Sequence, residues 1–381
     1  MSGFVAGAPI PMAKPTPQHM PQLDGLRAYA VLFVMIHHWL PGLLHFEPWG
    51  ELGVRCFFVL SGFLITGILL RSRGLLDSGK STLGWQLRQF YIRRSLRIFP
   101  IYYLTLIGGV IVGMNTLQET FWWHASYLSN FYFAFRNAWH GYVSHLWSLA
   151  VEEQFYLIWP AVLLMMPLRL LPRLLLASIP VAVGFRLAMA LWLGHEHLAT
   201  RVLLPACIDQ LLIGALLAWY QGGLGARGET LEPLLKKLWV PAGAVMLVHL
   251  VLNQFRWVPV FTVTVGPVVE SLFFAVVVGQ CAVGFKGGFR HVVANPVAQY
   301  FGRISYGLYL YHMFMKYIGS MLENKFGRFG FHMPKDEVAQ FFVLLAMSIV
   351  AAAASEFLLE RPINRLKRLF PTEPGREGAK A

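Results

Sequence analysis

Long apolar stretches recur along the whole of this 381-residue chain, and they restrict its fold more than any other feature. An α-helix rises about 1.5 Å per residue, so about 20 apolar residues in helical conformation cross the hydrocarbon core of a bilayer. We therefore predict an all-α, polytopic membrane protein with a bundle of about ten transmembrane helices. The predicted spans cover residues 24–43, 53–71, 97–114, 146–166, 172–193, 204–221, 237–254, 260–284, 304–323 and 337–359.

The composition and the distribution of charge support this class of protein. Hydrophobic residues make up 56% of the chain and charged residues 13%, whereas soluble domains carry about 25% charged residues. Most Lys and Arg residues fall in the N-terminal tail and in every second loop, which predicts that both termini are cytoplasmic. The net charge of +13 is therefore interpreted as a topology signal and not as a nucleic-acid-binding surface.

The predicted division of the chain is simple, because the sequence shows no internal repeat and no soluble second domain. Residues 1–22 are predicted to form a cytoplasmic N-terminal tail, 23–360 a transmembrane domain, and 361–381 a basic cytoplasmic tail. The aromatic segment 121–135 is too short to span a membrane and is predicted to be re-entrant or interfacial. The Pro-rich tail up to Met20 has no long apolar core, so we expect no cleavable signal peptide.

The first span reads LDGLRAYAVLFVMIHHWL and carries an arginine near one end and two histidines near the other. Arg27 and His38 are about three helical turns and about 16 Å apart, so they share one helix face, whereas His37 points about 100° away. Ionisable residues inside a membrane span are costly to bury and indicate a functional site. The alternative is that Arg27 snorkels to the membrane surface and His38 bonds to a neighbouring helix.

A basic patch lies in the stretch QLRQFYIRRSLRIFPIYY, at the start of the third span. Arg93 and Arg97 are i, i+4 neighbours on one helix face, and Arg94 flanks them. Such a patch can clamp phosphate groups from the cytosol. Attraction of anionic lipid headgroups is the alternative explanation of the same charges.

Two adjacent carboxylates, Glu152 and Glu153, follow His145 in the fourth span, within HLWSLAVEEQFYLIWP. Because carboxylates are costly to bury in an apolar helix, their position predicts a function for at least one of them. The alternative is a structural ion pair, for example with Arg186 of the fifth span. Ser61 of the second span is interpreted as a residue that hydrogen-bonds one helix to another, with a nucleophile as the alternative.

Further polar groups within the spans are candidate substrate-binding residues. Asp209 lies in the sixth span, roughly on the same side of the helix as Arg201 before it. Tyr306, Tyr309 and His312 follow one another at i, i+3 and i+6, and they form a polar stripe near the middle of the ninth span.

We predict no metal site and no disulfide. The sequence HEH at 195–197 lacks both the HExxH spacing and the further ligands that a zinc site needs. The cysteines at 56, 207 and 281 fall within apolar stretches without CxxC spacing, so they are predicted to be packing residues.

Six stretches of the chain carry a recognisable pattern, and in chain order they are LDGLRAYAVLFVMIHH, GVRCFFVLSGFLIT, FYIRRSLRIFPIYY, HLWSLAVEEQFYLIWP, RVLLPACIDQLLIGALLA and ISYGLYLYH. Together they resemble acyltransferase family 3, whose members are membrane-embedded acyl-CoA-dependent acyltransferases. The resemblance covers nearly the whole chain. It implies a ten-span bundle that passes an acyl group, usually acetyl, from a cytosolic CoA thioester to an acceptor hydroxyl. The acceptors in this family are mostly sugars of envelope or secreted glycans, and sometimes small natural products.

The resemblance also implies roles for individual positions. Arg27 and His38 correspond to the family's essential pair in the first span. Arg94 and Arg97 correspond to its cytosolic RxxR motif, and Glu152 to its acidic residue in the fourth span. We expect His38 to act as general base on the acceptor hydroxyl, and Glu152 to orient His38 or to stabilise its imidazolium form. The expected site residues are catalytic His38, Arg27, Glu152 and Glu153, donor-binding Arg93, Arg94 and Arg97, and substrate-binding His145, Tyr306, His312 and Asp209.

The expected partners follow from the same resemblance. The donor is acyl-CoA, in the form of acetyl-CoA, which acts as a co-substrate and not as a permanently bound cofactor. The acceptor is a glycan or a small molecule with a hydroxyl group. The protein also contacts the lipid bilayer, and no nucleic acid is expected. The expected location is the bacterial inner membrane. A transporter or flippase of a glycan or small polar solute is the alternative, but it predicts inverted or parallel repeats.

Overall fold

The computed structural model describes residues 20–41, 49–255 and 258–373, and within these ranges every regular element is helical. The all-α prediction is confirmed. Long helices lie at the positions of all ten predicted spans, and they are numbered in chain order. They are α1 Pro21–Trp39, α2 Trp49–Asp77, α3 Leu83–Ile111, α4 Leu146–Met165, α5 Leu171–Leu193, α6 Leu204–Ala226, α7 Glu232–Gln254, α8 Gly266–Val283, α9 Ser305–Phe326 and α10 Glu337–Ser355.

Within the described ranges, six of these helices are long and apolar enough to cross a membrane, as expected of a multi-pass membrane protein. They are α2, α5, α6, α7, α8 and α10. The other four helices, α1, α3, α4 and α9, carry most of the ionisable residues that the sequence analysis selected. A total of about ten spans and the cytoplasmic location of both termini stay predictions.

Helix α3 begins at Leu83, well before residue 97, where the third span was predicted to start. The side chain of Thr82 accepts a hydrogen bond from the backbone N–H of Trp85 and so caps the first turn of the helix. The basic patch is therefore part of one continuous helix and is held in a fixed orientation relative to the rest of α3.

The predicted eighth span, 260–284, is interrupted in the structure. Pro259–Thr264 forms a separate short helix, and α8 begins at Gly266. Pro267 in the first turn of α8 has no backbone N–H to donate, and its fixed φ suits the beginning of a helix. The proline therefore explains why a new helix starts here.

The aromatic segment 121–135, predicted to be re-entrant or interfacial, falls within two short helices, Asn115–Ala125 and Ser129–Arg136. Tyr127 lies between them with a φ of 55°. This left-handed backbone conformation ends the first helix and turns the chain toward the second.

Helix α2 packs against α1, α4, α6 and α8 and lies at the centre of the bundle. It approaches α6 most closely. A Cβ atom on Gly62 would lie 1.8 Å from the carbonyl oxygen of Leu211, and one on Gly214 would lie 2.1 Å from that of Val59. Small residues allow helices to pack at this distance in membrane proteins. The three cysteines are free and buried, as predicted for packing residues.

The first part of the predicted C-terminal tail packs on α3. Arg93 donates hydrogen bonds to the carbonyl oxygens of Lys367 and Phe370, each at 3.0 Å. The side-chain amide of Gln86 donates to the carbonyl oxygen of Thr372 at 3.0 Å. The outer parts of both predicted tails, 1–19 and 374–381, lie outside the described residues.

Candidate active site

One face of α4 carries a line of polar side chains along an otherwise apolar helix. His145, Ser148, Glu152 and Tyr156 follow the spacing i, i+3, i+7 and i+11, which places them on one side of the helix. They extend over a rise of about 16 Å, roughly half the thickness of a hydrocarbon core. Each of the four side chains meets a polar group on another helix. We name these four residues the polar column.

Three histidines meet at one end of the polar column, where α1, α4 and α9 come together. Nδ1 of His38 lies 2.9 Å from Nε2 of His312, within hydrogen-bonding distance. The ring centroids of His145 and His312 are 4.7 Å apart. His145 and His312 are buried, whereas His38 is half-buried. We name these three residues the histidine cluster.

The hydrogen bonds of the histidine cluster indicate where each neutral ring carries its proton. Nδ1 of His312 lies 2.6 Å from the carbonyl oxygen of Tyr309, which can only accept, so this Nδ1 donates. Nε2 of a neutral His312 is then an acceptor, and Nδ1–H of His38 donates to it. This arrangement leaves a lone pair on Nε2 of His38, as a general base requires.

The two neighbouring histidines of α1 face different surroundings, as the helical spacing predicted. His38 is turned toward α9, and its carbonyl oxygen accepts a hydrogen bond from Nζ of Lys316 at 3.1 Å. The ring of His37 is exposed and lies over Gly50, where an added Cβ atom would be 2.7 Å from it. Only His38 therefore belongs to the histidine cluster.

Hydrogen bonds between helices connect the middle of the polar column. Ser61 of α2 donates to Glu152, and Tyr156 donates to Ser61 at 2.9 Å. The interpretation of Ser61 as a residue that hydrogen-bonds one helix to another is confirmed. Closer to the histidine cluster, the hydroxyl groups of Ser148 and Tyr309 form a hydrogen bond.

The expectation that Glu152 orients His38 is wrong. The ring of His38 pairs with His312, and Glu152 pairs with Ser61. Glu152 lies two helical turns beyond His145 along α4, a rise of about 10 Å. The physical reason is the position of α9, which places His312 between α1 and the end of α4.

Arg94 of α3 lies at the opposite end of the polar column. Its guanidinium stacks on Tyr156, with Cζ 3.8 Å from the ring centroid, and it interacts electrostatically with Glu152 and Glu153. Nε of Arg94 is buried and has no hydrogen-bond partner in the part of the chain that the structure describes. A buried donor of this kind is available to an anionic ligand.

Three further cationic groups surround Arg94. Arg27 forms an ion pair with Asp24 at 3.2 Å and interacts electrostatically with Arg97 and with Glu152. Lys367, from the C-terminal segment, interacts with Arg97 and Arg94. We name Arg27, Arg94, Arg97 and Lys367 the arginine cluster. Sequence analysis missed Lys367, because only the fold brings the C-terminal segment back to α3.

Two of the expected ligand-binding residues have other partners. Both hydrogen bonds that Arg93 donates go to backbone carbonyls of the C-terminal segment, so this side chain positions that segment. Arg93 also interacts electrostatically with Lys367 at the edge of the arginine cluster. Tyr306 donates to the carbonyl oxygen of Ile98 at 3.4 Å and interacts with Arg94. Tyr306 therefore lies at the arginine end of the column, away from the histidine cluster.

Asp209 also lies outside the polar column. It forms an ion pair with Arg186 at 2.7 Å, and both side chains are 0% exposed. This partnership between α5 and α6 does not agree with the expected substrate-binding role of Asp209. It also shows that the alternative ion pair of Arg186 with the carboxylates of α4 is wrong.

A second charged network, which sequence analysis missed, lies at the start of α2. Arg55 bridges Glu51, at 2.6 Å, and Glu270. Arg201 pairs with Glu51 at 2.9 Å, and His249 bonds to Glu270 at 2.7 Å. Four of these residues border a cavity of about 120 Å³, namely Glu51, Arg55, Arg201 and Glu270. The i, i+4 spacing of Glu51 and Arg55 was the one visible signal in the sequence.

Comparison with known proteins decides the family. Residues 20–356 match the family model Acyl_transf_3, described as "Acyltransferase domain". The chain belongs to this acyltransferase family. The resemblance to acyltransferase family 3 is confirmed.

Several bacterial proteins are similar to this family member. "Peptidoglycan O-acetyltransferase OatA" of Listeria monocytogenes is 37% identical over 196 residues, which are 46% of this chain and 29% of the relative. "Putative O-acetyltransferase SAS0844" of Staphylococcus aureus is 26% identical over 384 residues, covering 91% of this chain and 58% of the relative. The chain thus spans less than two thirds of the length of these relatives. No solved structure matches it significantly.

Proposed function

We propose that this acyltransferase moves an acetyl group from cytoplasmic acetyl-CoA to a hydroxyl group of an extracytoplasmic glycan. The observation that carries the proposal is the polar column, which connects a cationic cluster to a histidine cluster through the interior of the bundle. The names of the relatives support O-acetylation of a glycan, here proposed for this chain as well. The distribution of Lys and Arg along the sequence supports a cytoplasmic position for the arginine cluster.

The arginine cluster is the proposed donor site. CoA carries several phosphate groups, and guanidinium groups bind phosphate through paired, charge-assisted hydrogen bonds. Arg94 offers a buried Nε without a partner among the described residues, and Arg97 is exposed at the same end. The pantetheine arm is long and flexible, so it can extend along the polar column and place the thioester near His38.

The histidine cluster is the proposed catalytic centre. Nε2 of His38 accepts the proton of the acceptor hydroxyl, and the oxygen attacks the carbonyl carbon of the thioester. The carbon–sulfur bond then breaks, and the proton on His38 passes to the leaving thiolate of CoA. His312 holds the ring of His38 in the required tautomer, which is the part played by a carboxylate in Ser-His-Asp enzymes.

The carboxylate of Glu152 has a different part in this proposal. It interacts with Arg94 and with Arg27 inside an apolar bundle, where unbalanced charge is costly. Glu152 therefore balances the arginine cluster and, through Ser61, holds α2 against α4.

The proposed setting is the bacterial inner membrane. Donor and acceptor would meet within the bundle from opposite sides, so the acetyl group crosses the bilayer while CoA stays in the cytoplasm. The division into a transmembrane domain at 23–360 with flanking tails belongs to the same proposal.

Transfer of radiolabelled acetyl groups tests the proposal. Membranes that contain the protein should move label from acetyl-CoA to added glycan strands as an alkali-labile ester, and the His38→Ala variant at equal abundance should not. If the wild-type membranes form no ester and instead carry a glycan or polar solute across the bilayer, the protein is a transporter and the proposal is wrong.

A further inference from the structure

An open groove lies between the last turns of α9 and the turn that precedes α4. It has a volume of about 460 Å³, within the range of about 300–1,000 Å³ typical of ligand sites. The acyl-transfer steps proposed above assign no role to this groove. Its lining residues are Tyr142, Tyr317, Ser320, Met321, Asn324 and Lys325.

The walls of the groove continue the elements that carry the catalytic histidines. Tyr142 lies three residues before His145, in the turn Gly141–Val143 that leads into α4. Tyr317 follows His312 on α9 at a rise of about 7.5 Å. The part of the groove that these two tyrosines form therefore lies within about two helical turns of His312 along α9.

The lining combines aromatic faces with hydrogen-bonding groups. The rings of Tyr142 and Tyr317 have their centroids 5.4 Å apart with an interplanar angle of 69°. The hydroxyl of Tyr317 donates to the carbonyl oxygen of Val112 at 3.2 Å, which fixes the orientation of that ring. Asn324 adds an amide, and Lys325 adds an ammonium group.

This combination matches the chemistry of a pyranose sugar. A pyranose has an apolar C–H face that packs on an aromatic ring, and its hydroxyl and acetamido groups hydrogen-bond with amide and ammonium groups. The groove is open along one side, so an internal sugar of a long glycan strand can enter it without a free chain end. An enclosed pocket would admit only small molecules or chain termini.

We infer that this groove is the acceptor subsite and holds a sugar residue of the glycan strand, next to the residue that receives the acyl group. The inference rests on the proposed function and adds to it the place where the acceptor binds. The rival occupant is a lipid headgroup, because aromatic residues also gather at the membrane surface.

Steady-state kinetics with soluble peptidoglycan glycan strands as the probe acceptor test the inference. Tyr142→Ala and Tyr317→Ala should each raise KM for the strands by about tenfold, since each change removes an apolar contact surface. KM for acetyl-CoA should not change. Tyr142→Phe retains the ring and should keep the wild-type KM, which also shows that the fold tolerates a change at this position.

Trp122→Ala and Phe135→Ala are matched controls, because their rings are 80% and 92% exposed and lie outside the groove. If the two tyrosine variants keep the same acceptor KM as these controls, the groove is a surface for lipid headgroups only and the inference is wrong. If the wild-type protein transfers no label to the strands at all, the proposed function fails instead, so the two failures are distinct.

Discussion

Two histidines on different helices, His38 and His312, form the proposed catalytic centre. Nδ1 of His38 and Nε2 of His312 are 2.9 Å apart, and the carbonyl of Tyr309 fixes the tautomer of the second ring. A neutral imidazole is a weaker partner for an imidazolium than a carboxylate is, but it needs no additional buried charge.

Substitution of the histidines tests this arrangement. His38→Ala should abolish transfer, because the general base is lost. His312→Ala should lower kcat by about 10²- to 10⁴-fold, the usual contribution of general acid–base catalysis, and leave both KM values nearly unchanged. His37→Ala is the matched control and should retain most activity. Equal losses in His37→Ala and His38→Ala would contradict the assignment of the base.

Arg94 provides a second test at the level of single residues. Charge-assisted hydrogen bonds are worth about 1.5–3 kcal/mol, so Arg94→Ala should raise KM for acetyl-CoA by roughly 10- to 150-fold. Arg97→Ala should act in the same direction. Arg88→Ala, at an exposed position of the same helix, should have little effect. An increase in the acceptor KM alone would place the acceptor, not the donor, at the arginine cluster.

Helical spacing explains which single residues could be predicted. The shared face of Arg27 and His38 depends on one helix only, and α1 is continuous over both positions. The partner of Glu152 could not be predicted, because it depends on which helices adjoin α4. The same holds for Asp209, whose charge is balanced by Arg186 from a neighbouring helix.

At the scale of helices, the regular pattern of α4 could have been recognised from sequence alone. The spacing of His145, Ser148, Glu152 and Tyr156 predicts one polar face, and all four side chains do meet polar partners. The early start of α3 was harder to predict, because its first turns are polar and do not resemble a membrane span. Hydropathy locates the apolar part of a helix and not its ends.

The packing of α2 on α6 leads to a prediction about helix contacts. A Cβ atom on Gly62 would lie 1.8 Å from the carbonyl oxygen of Leu211, so Gly62→Ala forces the two helices apart. We expect a loss of stability of about 1–3 kcal/mol, seen as a lower Tm of the protein in detergent. Gly67→Ala is the matched control on the same helix, because an added Cβ there meets nothing within 4 Å. A similar Tm for both variants would contradict the close packing.

Across the bundle as a whole, the helices that carry the candidate active site are the less apolar ones. Within the described ranges, the four long helices that fall short of the apolar character of a membrane span are α1, α3, α4 and α9. These four helices carry the histidine cluster and most of the arginine cluster. Polar residues inside a bundle lower the mean hydropathy of the helices that bear them, so an active site within a membrane weakens the very signal used to count spans.

In the proposed reaction, the acetyl group crosses the membrane while CoA stays in the cytoplasm. Sealed membrane vesicles with the cytoplasmic face outward provide the most direct measurement. External radiolabelled acetyl-CoA should acetylate impermeant glycan strands that are enclosed in the vesicles, and strands added outside should stay unlabelled until the vesicles are permeabilised. Equal labelling of strands added outside intact vesicles would show that transfer occurs at the cytoplasmic face and would contradict acyl transfer across the membrane.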